Sequence, residues 1–223
     1  MTCVVGLLCG SKVYFGADSA GTRCETMETT RLKTSKSFQN GPYVFGVAGS
    51  FRMMQILEHC FEPPEPDWDN LERFMARDFS TALRECLKEY GWLEQLDERD
   101  SATGGEALVS IGGRLFYVQQ DLSAIEPESD YYAIGCGAPY ALGSLHTTAT
   151  LDPPLEAETR VRLSLAAAQE FNAAVREPFV IENYKVPELQ VVLVPTRARA
   201  EKPPEQEVRK VTRRPKKKPQ VVS

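Results

Sequence analysis

Length, composition and charge already exclude several classes of protein. The chain has 223 residues, of which 42% are hydrophobic and 26% charged, a composition typical of a globular domain with a sizeable core. Its apolar runs are too short to span a bilayer, and the first polar residues are not preceded by a basic-then-apolar leader. The sequence therefore predicts a cytoplasmic protein without membrane contact. Its formal net charge is −5.

The first eighteen residues predict a β-hairpin. Two short apolar strands are joined at Gly10-Ser11-Lys12, a sequence typical of a tight turn. The polar stretch 19–39 is expected to be irregular. A third strand is predicted over 43–47, and it ends in Ala48-Gly49-Ser50.

Further along, predicted helices and strands come in blocks. In chain order they are helices over 51–61 and 69–90, strands over 107–111, 114–119 and 131–135, helices over 139–148 and 156–175, and a strand over 189–194. Asp69 is expected to cap the second helix. Because strands and helices do not alternate one by one, this order favours antiparallel sheets covered by helices over a doubly wound parallel sheet.

The end of the chain differs from the rest in composition. Residues 197–223 contain ten Lys or Arg against three Glu, so this segment carries +7 and the remainder −12. It is also proline-rich and has no aromatic residue, which predicts that it cannot bury enough surface to fold. We expect one domain over 1–195 and a disordered basic tail over 196–223. The tail is then expected to contact nucleic acid, an acidic partner surface or only solvent.

Cysteine and histidine content limits the chemistry. The six cysteines form no CxxC pair and have no regular spacing, as is typical of reduced thiols in the cytosol. The two histidines, His59 and His146, leave little material for a metal site or a Ser-His-Asp triad. We therefore expect no metal and no cofactor, and an enzyme built on this chain would need a base other than histidine.

Thr2 is a candidate nucleophile. Removal of the initiator Met, which is usual before a small residue, would leave Thr2 with a free α-amine. Such an amine has a pKa of about 7.7–8.0, so part of it is neutral near physiological pH. A neutral amine can act as the base that activates the hydroxyl of the same threonine. A strand at the start of a chain is common, so the assignment of Thr2 as a nucleophile depends on the other motifs.

Four segments, in this order, carry a resemblance to a known superfamily. They are the Thr2 start, Gly16-Ala17-Asp18-Ser19, Gly46-Val47-Ala48-Gly49 and Tyr132-Ala133-Ile134-Gly135-Cys136-Gly137-Ala138-Pro139-Tyr140-Ala141. Over residues 2–195 the chain resembles the proteasome β-subunit superfamily, particularly the HslV peptidase and the stand-alone proteasome-like proteins of bacteria and their phages. The resemblance implies an α+β fold with a four-layer αββα sandwich, N-terminal-nucleophile (Ntn) hydrolase chemistry and assembly into rings.

The resemblance also implies roles for individual residues around Thr2. Thr2 matches the nucleophile, and Asp18 matches the buried acid that holds an active-site lysine. Lys36 is the first choice for that lysine, because a short spacer then leads into the strand at 43–47. Lys33 is the alternative. A cation at this place would favour the deprotonated form of the attacking group.

Two further matches concern the backbone and the amine. Gly49 matches the position whose backbone N–H points at the developing oxyanion, where glycine allows close approach. Cys136 stands where the family usually has a serine that hydrogen-bonds the terminal amine, and a thiol is a weaker donor and acceptor.

Glu170 falls near the family's second acidic residue, and Ala173 replaces a family serine. Val47 and Phe51 fall near the first specificity pocket, which would then accept an apolar side chain.

Three functions are compatible with these residues. The first is a threonine peptidase that hydrolyses unfolded polypeptides inside a homo-oligomeric ring of six or seven subunits, in one layer or two, with an ATPase unfoldase as a possible partner. The second is a non-catalytic ring or scaffold subunit of the same fold, favoured by Cys136 and Ala173. The third is an Ntn amidohydrolase acting on a small amide. The Thr2 start favours the first.

Overall fold

The computed structural model describes residues 2–23, 26, 28–92 and 105–186. Within these ranges the strands are, in chain order, β1 (Cys3–Cys9), β2 (Lys12–Asp18), β3 (Ala20–Thr22), β4 (Thr29–Arg31), β5 (Ser37–Asn40), β6 (Tyr43–Ala48), β7 (Glu106–Ile111), β8 (Arg114–Val118), β9 (Ala124–Ile125), β10 (Tyr131–Gly135) and β11 (Phe179–Lys185). The α-helices are α1 (Phe51–His59), α2 (Leu71–Phe74), α3 (Ser80–Glu89), α4 (Ala138–Ala149) and α5 (Ala157–Phe171).

Two antiparallel sheets form the centre of the fold. One has the strand order β10-β1-β2-β11 and the other β5-β6-β7-β8-β9, while β3 and β4 pair as a separate ribbon. The predicted hairpin is confirmed as β1 and β2, and it is closed where Cys9 pairs with Lys12. Gly10 adopts φ +59° in its turn, which glycine does without steric cost. Because β1 lies between β10 and β2, Thr2 directly precedes a strand that is paired on both sides.

Three apolar layers hold the sheets and helices together. Phe45 and Phe79 belong to the layer between the five-stranded sheet and α1 to α3. Val5 and Leu165 belong to the layer between the four-stranded sheet and the helices α4 and α5. Val4 points to the other face of β1, into the layer between the two sheets, because side chains alternate along a strand. The predicted four-layer αββα sandwich is confirmed.

The expectation that 19–39 is irregular was wrong. This stretch contains β3, β4 and the beginning of β5. Pairing between β3 and β4 joins Ala20 to Arg31 and Thr22 to Thr29. These strands are short and largely polar, so backbone pairing defines them and apolar alternation does not reveal them.

Two helices differ from their predicted extents. The helix expected over 69–90 is interrupted by a π-helical turn, Met75–Phe79, and a 3-10 turn, Trp68–Asn70, precedes it. Asp67, not Asp69, supplies the cap, because its carboxylate accepts from the backbone N–H of Asp69 at 3.2 Å. The helix expected over 156–175 ends at Phe171.

The last predicted strand, 189–194, the domain boundary at 195 and the basic tail lie outside the described residues. A strand that the sequence pattern did not predict, β11, instead pairs with β2 along its whole length. Among the described helices, none combines the length and the apolar character that crossing a membrane requires.

Candidate active site

Thr2, Asp18 and Lys36 meet in the interior although they are far apart in the sequence. The Lys36 Nζ atom donates hydrogen bonds to Thr2 Oγ1 at 3.0 Å, to Asp18 Oδ1 at 2.8 Å and to the backbone oxygen of Ala20 at 2.7 Å. These three bonds use all three N–H donors of an ammonium group. The position of Nζ beside the Thr2 hydroxyl is therefore fixed from three directions.

Asp18 connects the lysine to the backbone around the threonine. Its Oδ1 atom also accepts from the backbone N–H of Cys3 at 2.9 Å, and its Oδ2 atom accepts from the backbone N–H of Ala20 at 3.1 Å. The side chains of Lys36 and Asp18 are 1% and 0% exposed. A buried ion pair needs such additional donors and acceptors to offset the loss of water.

Burial and charge act on Lys36 in opposite directions. Burial is the larger effect and lowers the pKa of the Lys36 ammonium, while the Asp18 carboxylate acts to raise it and offsets the burial only in part. Burial also raises the pKa of the Cys3 thiol far above its ordinary value, so this thiol stays protonated.

The arrangement prepares the Thr2 oxygen to lose its proton. Because Thr2 Oγ1 accepts a hydrogen bond from Lys36, its own proton is directed to another partner. As that proton leaves, the negative charge that develops on the oxygen is stabilised by the adjacent donor. The three residues together can therefore assist an attack by the threonine oxygen on an electrophile.

A turn after β10 packs against the backbone of Thr2. Gly135 adopts φ +89°, and a Cβ placed there would overlap the carbonyl oxygen of Thr2. The Cys136 Sγ atom donates to that carbonyl oxygen at 3.4 Å. Asn172 Nδ2 donates to the Cys136 carbonyl oxygen at 2.9 Å, and Asn172 Oδ1 accepts from the Ala174 N–H at 3.0 Å. The segment after α5 thus supports this turn.

Glu106 fixes the same turn from the other sheet. Its Oε1 atom accepts from the backbone N–H of Gly135 at 2.7 Å, and its Oε2 atom accepts from the Tyr117 hydroxyl at 2.6 Å. Glu106 pairs with Ala48 across β6 and β7, next to Gly49. The two sheets are therefore joined directly behind Thr2.

The remaining candidates lie elsewhere. Glu170 is exposed near the end of α5, and Ala173 is exposed just after it. Asn172, which the sequence reasoning missed, lies beside Cys136 instead. The alternative lysine, Lys33, is exposed, whereas Lys36 is buried.

A cavity of about 380 Å³ opens beside Thr2, and all three residues predicted to border the substrate line it. They are Val47, Gly49 and Phe51. Gly49 adopts φ +91° just before α1, and the adjacent Ser50 hydroxyl accepts from the backbone N–H of Met53 at 3.1 Å and caps the helix. Backbone groups at this helix start therefore lie next to the cavity.

Part of the lining of this cavity is apolar. Leu32 and Met54 line it together with Val47 and Phe51. The Phe51 ring packs against Gly21, where an added Cβ would come within 3.2 Å of the ring. Phe51 is 43% exposed, so its ring forms a wall of the cavity and not part of the packed core. The lining also includes polar residues, among them Arg23, Glu28 and Thr30.

Comparison with known proteins gives a consistent picture of the fold. The sequence matches no family model. Among solved structures, BPH from Thiobacillus denitrificans in complex with epoxomicin superposes with a TM-score of 0.68 at 23% identity, covering 82% of this chain and 98% of that one. HslV from Trypanosoma brucei superposes with a TM-score of 0.58 at 19% identity, covering 82% and 99%. An Anbu (Gly-1) mutant from Hyphomicrobium sp. strain MC1 gives 0.58 at 19% identity, covering 83% and 82%.

The chain has the fold of these proteins. The resemblance to HslV and the proteasome-like proteins is therefore confirmed at the level of the fold. Sequence identities of this size carry no information on activity, so the chemistry rests on the side chains around Thr2 in this chain.

Proposed function

We propose that this protein is a threonine-type endopeptidase of the proteasome and HslV kind, with Thr2 as its nucleophile. The observation that supports this most is the contact of 3.0 Å between Lys36 Nζ and Thr2 Oγ1, next to the buried carboxylate of Asp18. A lysine buried to this extent is rare unless its charge is paired, and here it is aimed at a threonine hydroxyl.

The reaction requires removal of Met1, which exposes the α-amine of Thr2. The neutral amine takes the hydroxyl proton while Thr2 Oγ1 attacks the carbonyl carbon of a peptide bond. Lys36, held by Asp18, stabilises the oxygen as its proton leaves. No histidine is required in this step, in keeping with the absence of His59 and His146 from the lining of the cavity.

The tetrahedral intermediate places a negative charge on the former carbonyl oxygen. The backbone N–H of Gly49 is our candidate donor to it, because Gly49 lines the cavity at the start of α1. Collapse of the intermediate forms an ester with Thr2, and the protonated amine gives its proton to the leaving amine. Water then hydrolyses the ester, with the same amine as base.

The cavity supports a preference for an apolar residue before the cleaved bond. Val47 and Phe51 form its apolar wall, and burial of a Leu or Phe side chain there contributes roughly 1.5–3 kcal/mol to substrate binding. We infer that unfolded polypeptides rather than folded proteins reach the site, inside a cytoplasmic homo-oligomeric ring of six or seven subunits that an ATPase unfoldase can feed. The fold shared with HslV supports the assembly.

The intact mass of the purified protein tests the nucleophile. It is measured before and after incubation with a peptide epoxyketone, which closes a ring with both the hydroxyl and the free amine of an N-terminal threonine. We expect a mass that lacks Met1, followed by one adduct per chain. Thr2→Ala is the control, which should keep the fold and assembly and form no adduct. BPH has been determined in complex with epoxomicin, which makes this class of reagent a reasonable choice.

Two results would contradict the proposal. Retention of Met1 would leave Thr2 without a free amine and would favour a ring or scaffold subunit. Removal of Met1 without an adduct, in a correctly assembled protein that does not cleave peptides, would point to a site weakened by Cys136 in place of serine.

A further inference from the structure

The two residues that flank Lys36 are both bound to one carboxylate on the last strand. Ser35 Oγ donates to Glu182 Oε2 at 3.0 Å, and Ser37 Oγ donates to the same oxygen at 2.9 Å. The Tyr184 hydroxyl also donates to it, at 3.0 Å. One partly buried carboxylate oxygen thus collects three hydroxyl groups, two of them from the segment that carries the lysine.

Lys36 lies between these two serines, at a bend just before β5. Anchoring Ser35 and Ser37 therefore fixes the backbone on both sides of the residue from which the lysine side chain extends. The Nζ atom of that side chain reaches Thr2 and Asp18. The backbone of the same segment is held on the five-stranded sheet, because the Lys36 carbonyl oxygen accepts from the Val47 N–H at 3.0 Å.

The segment is also internally bonded. The two hydroxyl oxygens of Ser35 and Ser37 lie 3.0 Å apart, and Ser35 Oγ accepts from the Ser37 backbone N–H at 3.2 Å. Hydrogen bonds to an ionised acceptor are roughly twice as strong as neutral ones. Two such bonds on either side of one residue restrict its backbone position more than local turn bonds alone can.

We propose that Glu182 is a positioning residue for Lys36. It holds Ser35 and Ser37 so that Lys36 Nζ stays within hydrogen-bond distance of the Thr2 hydroxyl. The inference rests on the proposed peptidase function. Glu182 is not among the residues that line the cavity beside Thr2, and it acts through the two serines.

The groups that face Lys36 directly are distinct from Glu182. They are the Asp18 carboxylate at the end of β2, the Cys3 thiol on β1 and the Cys136 thiol after β10. These remain in place when Glu182 is replaced. A change in kcat or in the pH profile of a Glu182 variant would therefore indicate that Lys36 is displaced, and not that Lys36 has lost the charge with which it pairs.

The first test is Glu182→Ala, assayed for kcat and KM with a fluorogenic peptide over a range of pH. A displacement of Lys36 by about 1 Å is expected to lower kcat by roughly ten- to a hundredfold. KM should stay within about twofold, because the cavity lining is untouched. A Lys36 ammonium that lies farther away stabilises the neutral form of the Thr2 amine less, which raises the pKa of that amine. The acid limb of the kcat/KM profile should therefore move to higher pH. Glu182→Gln, which keeps an acceptor oxygen, should recover most of kcat.

A matched pair separates positioning from general stabilisation. Ser35→Ala and Tyr184→Phe each remove one hydroxyl donor from Glu182, but only Ser35 belongs to the lysine segment. We expect a lower kcat and a shifted acid limb for Ser35→Ala, and neither change for Tyr184→Phe. This pair decides the question even if Glu182→Ala fails to fold. Equal effects of the two variants, or a wild-type profile for a folded Glu182→Ala, would overturn the proposal.

Failure of the peptidase function would be seen separately, as a wild-type protein that neither cleaves peptides nor reacts with the epoxyketone. In that case crystal structures of the wild type and Glu182→Ala still test the positioning. The distance from Lys36 Nζ to Thr2 Oγ1 should lengthen in the variant, and an unchanged distance would contradict the inference.

Discussion

The ammonium nitrogen of Lys36 lies 3.0 Å from the hydroxyl oxygen of Thr2, although 34 positions separate the two residues. Thr2 directly precedes β1, a central strand of the four-stranded sheet, and Lys36 directly precedes β5, the edge strand of the other. The contact therefore spans both sheets of the sandwich. Any substitution that shifts one sheet against the other near this point should act on the threonine.

Replacement of Lys36 should remove activity, whereas replacement of Lys33 should not. Lys36→Met keeps most of the side-chain volume but removes the donor to Thr2, and we expect kcat/KM to fall by at least about a hundredfold. Lys33→Met is the matched control, because Lys33 is exposed. Peptide hydrolysis by both variants is the measurement. Wild-type rates for Lys36→Met together with a loss in Lys33→Met would move the role to Lys33.

Gly135 should not tolerate a side chain. Its φ of +89° is strained for an L-residue, and a Cβ there would lie 2.9 Å from the Thr2 carbonyl carbon and overlap its oxygen. The left-handed conformation alone costs roughly 1–2 kcal/mol. We expect Gly135→Ala to lower the free energy of unfolding by more than this and to abolish peptide hydrolysis. Gly143→Ala in α4 is the control, since a Cβ there meets no atom within 4 Å and should stabilise the helix by about 0.5–1 kcal/mol. A neutral Gly135→Ala would mean that the turn can move away from Thr2.

Phe51 should set the size of the apolar side chain that the cavity accepts. Phe51→Ala removes one wall of the cavity but little of the core, because the ring is 43% exposed. We expect kcat/KM for a peptide with Trp before the cleaved bond to rise about tenfold relative to the same peptide with Leu. The comparison uses the two peptides on wild type and variant in parallel. An unchanged ratio would show that the substrate binds elsewhere.

Tyr184 should make the protein less stable at alkaline pH. Burial, and next the charge of Glu182, raise the pKa of Tyr184 to about 12 in the folded protein, from about 10 in an unfolded chain. The unfolded state therefore loses the phenol proton first. The corresponding stability is complete below about pH 10 and is lost as the pH rises toward 12.

Urea unfolding of wild type and Tyr184→Phe at pH 9 and pH 11.5 measures this contribution. We expect the free energy of unfolding to fall less between the two pH values in the variant. Other titrating groups cancel in the comparison, because both proteins contain them. An equal fall in both would mean that the phenol is solvated in the folded state.

Apolar patterning and the resemblance to known peptidases predicted much of the architecture. The hairpin of β1 and β2 and the strands β6, β7, β8 and β10 follow from short apolar runs, because most residues of those runs are buried. The four-layer arrangement was implied by the resemblance. The grouping of Thr2, Asp18 and Lys36 was expected from the same resemblance.

The sequence by itself thus determined which segments are buried and which residue types are available for chemistry. The tertiary structure alone decided that Lys36 and not Lys33 lies beside Thr2, that Asn172 supports Cys136, and that Glu182 holds the lysine segment. Strand β11 shows the reason, since its residues are mostly half-buried and its polar side chains follow no apolar period. Hydrogen bonds between residues distant in the chain depend on how the sheets are placed, and they leave no periodic pattern in the sequence from which they could be predicted.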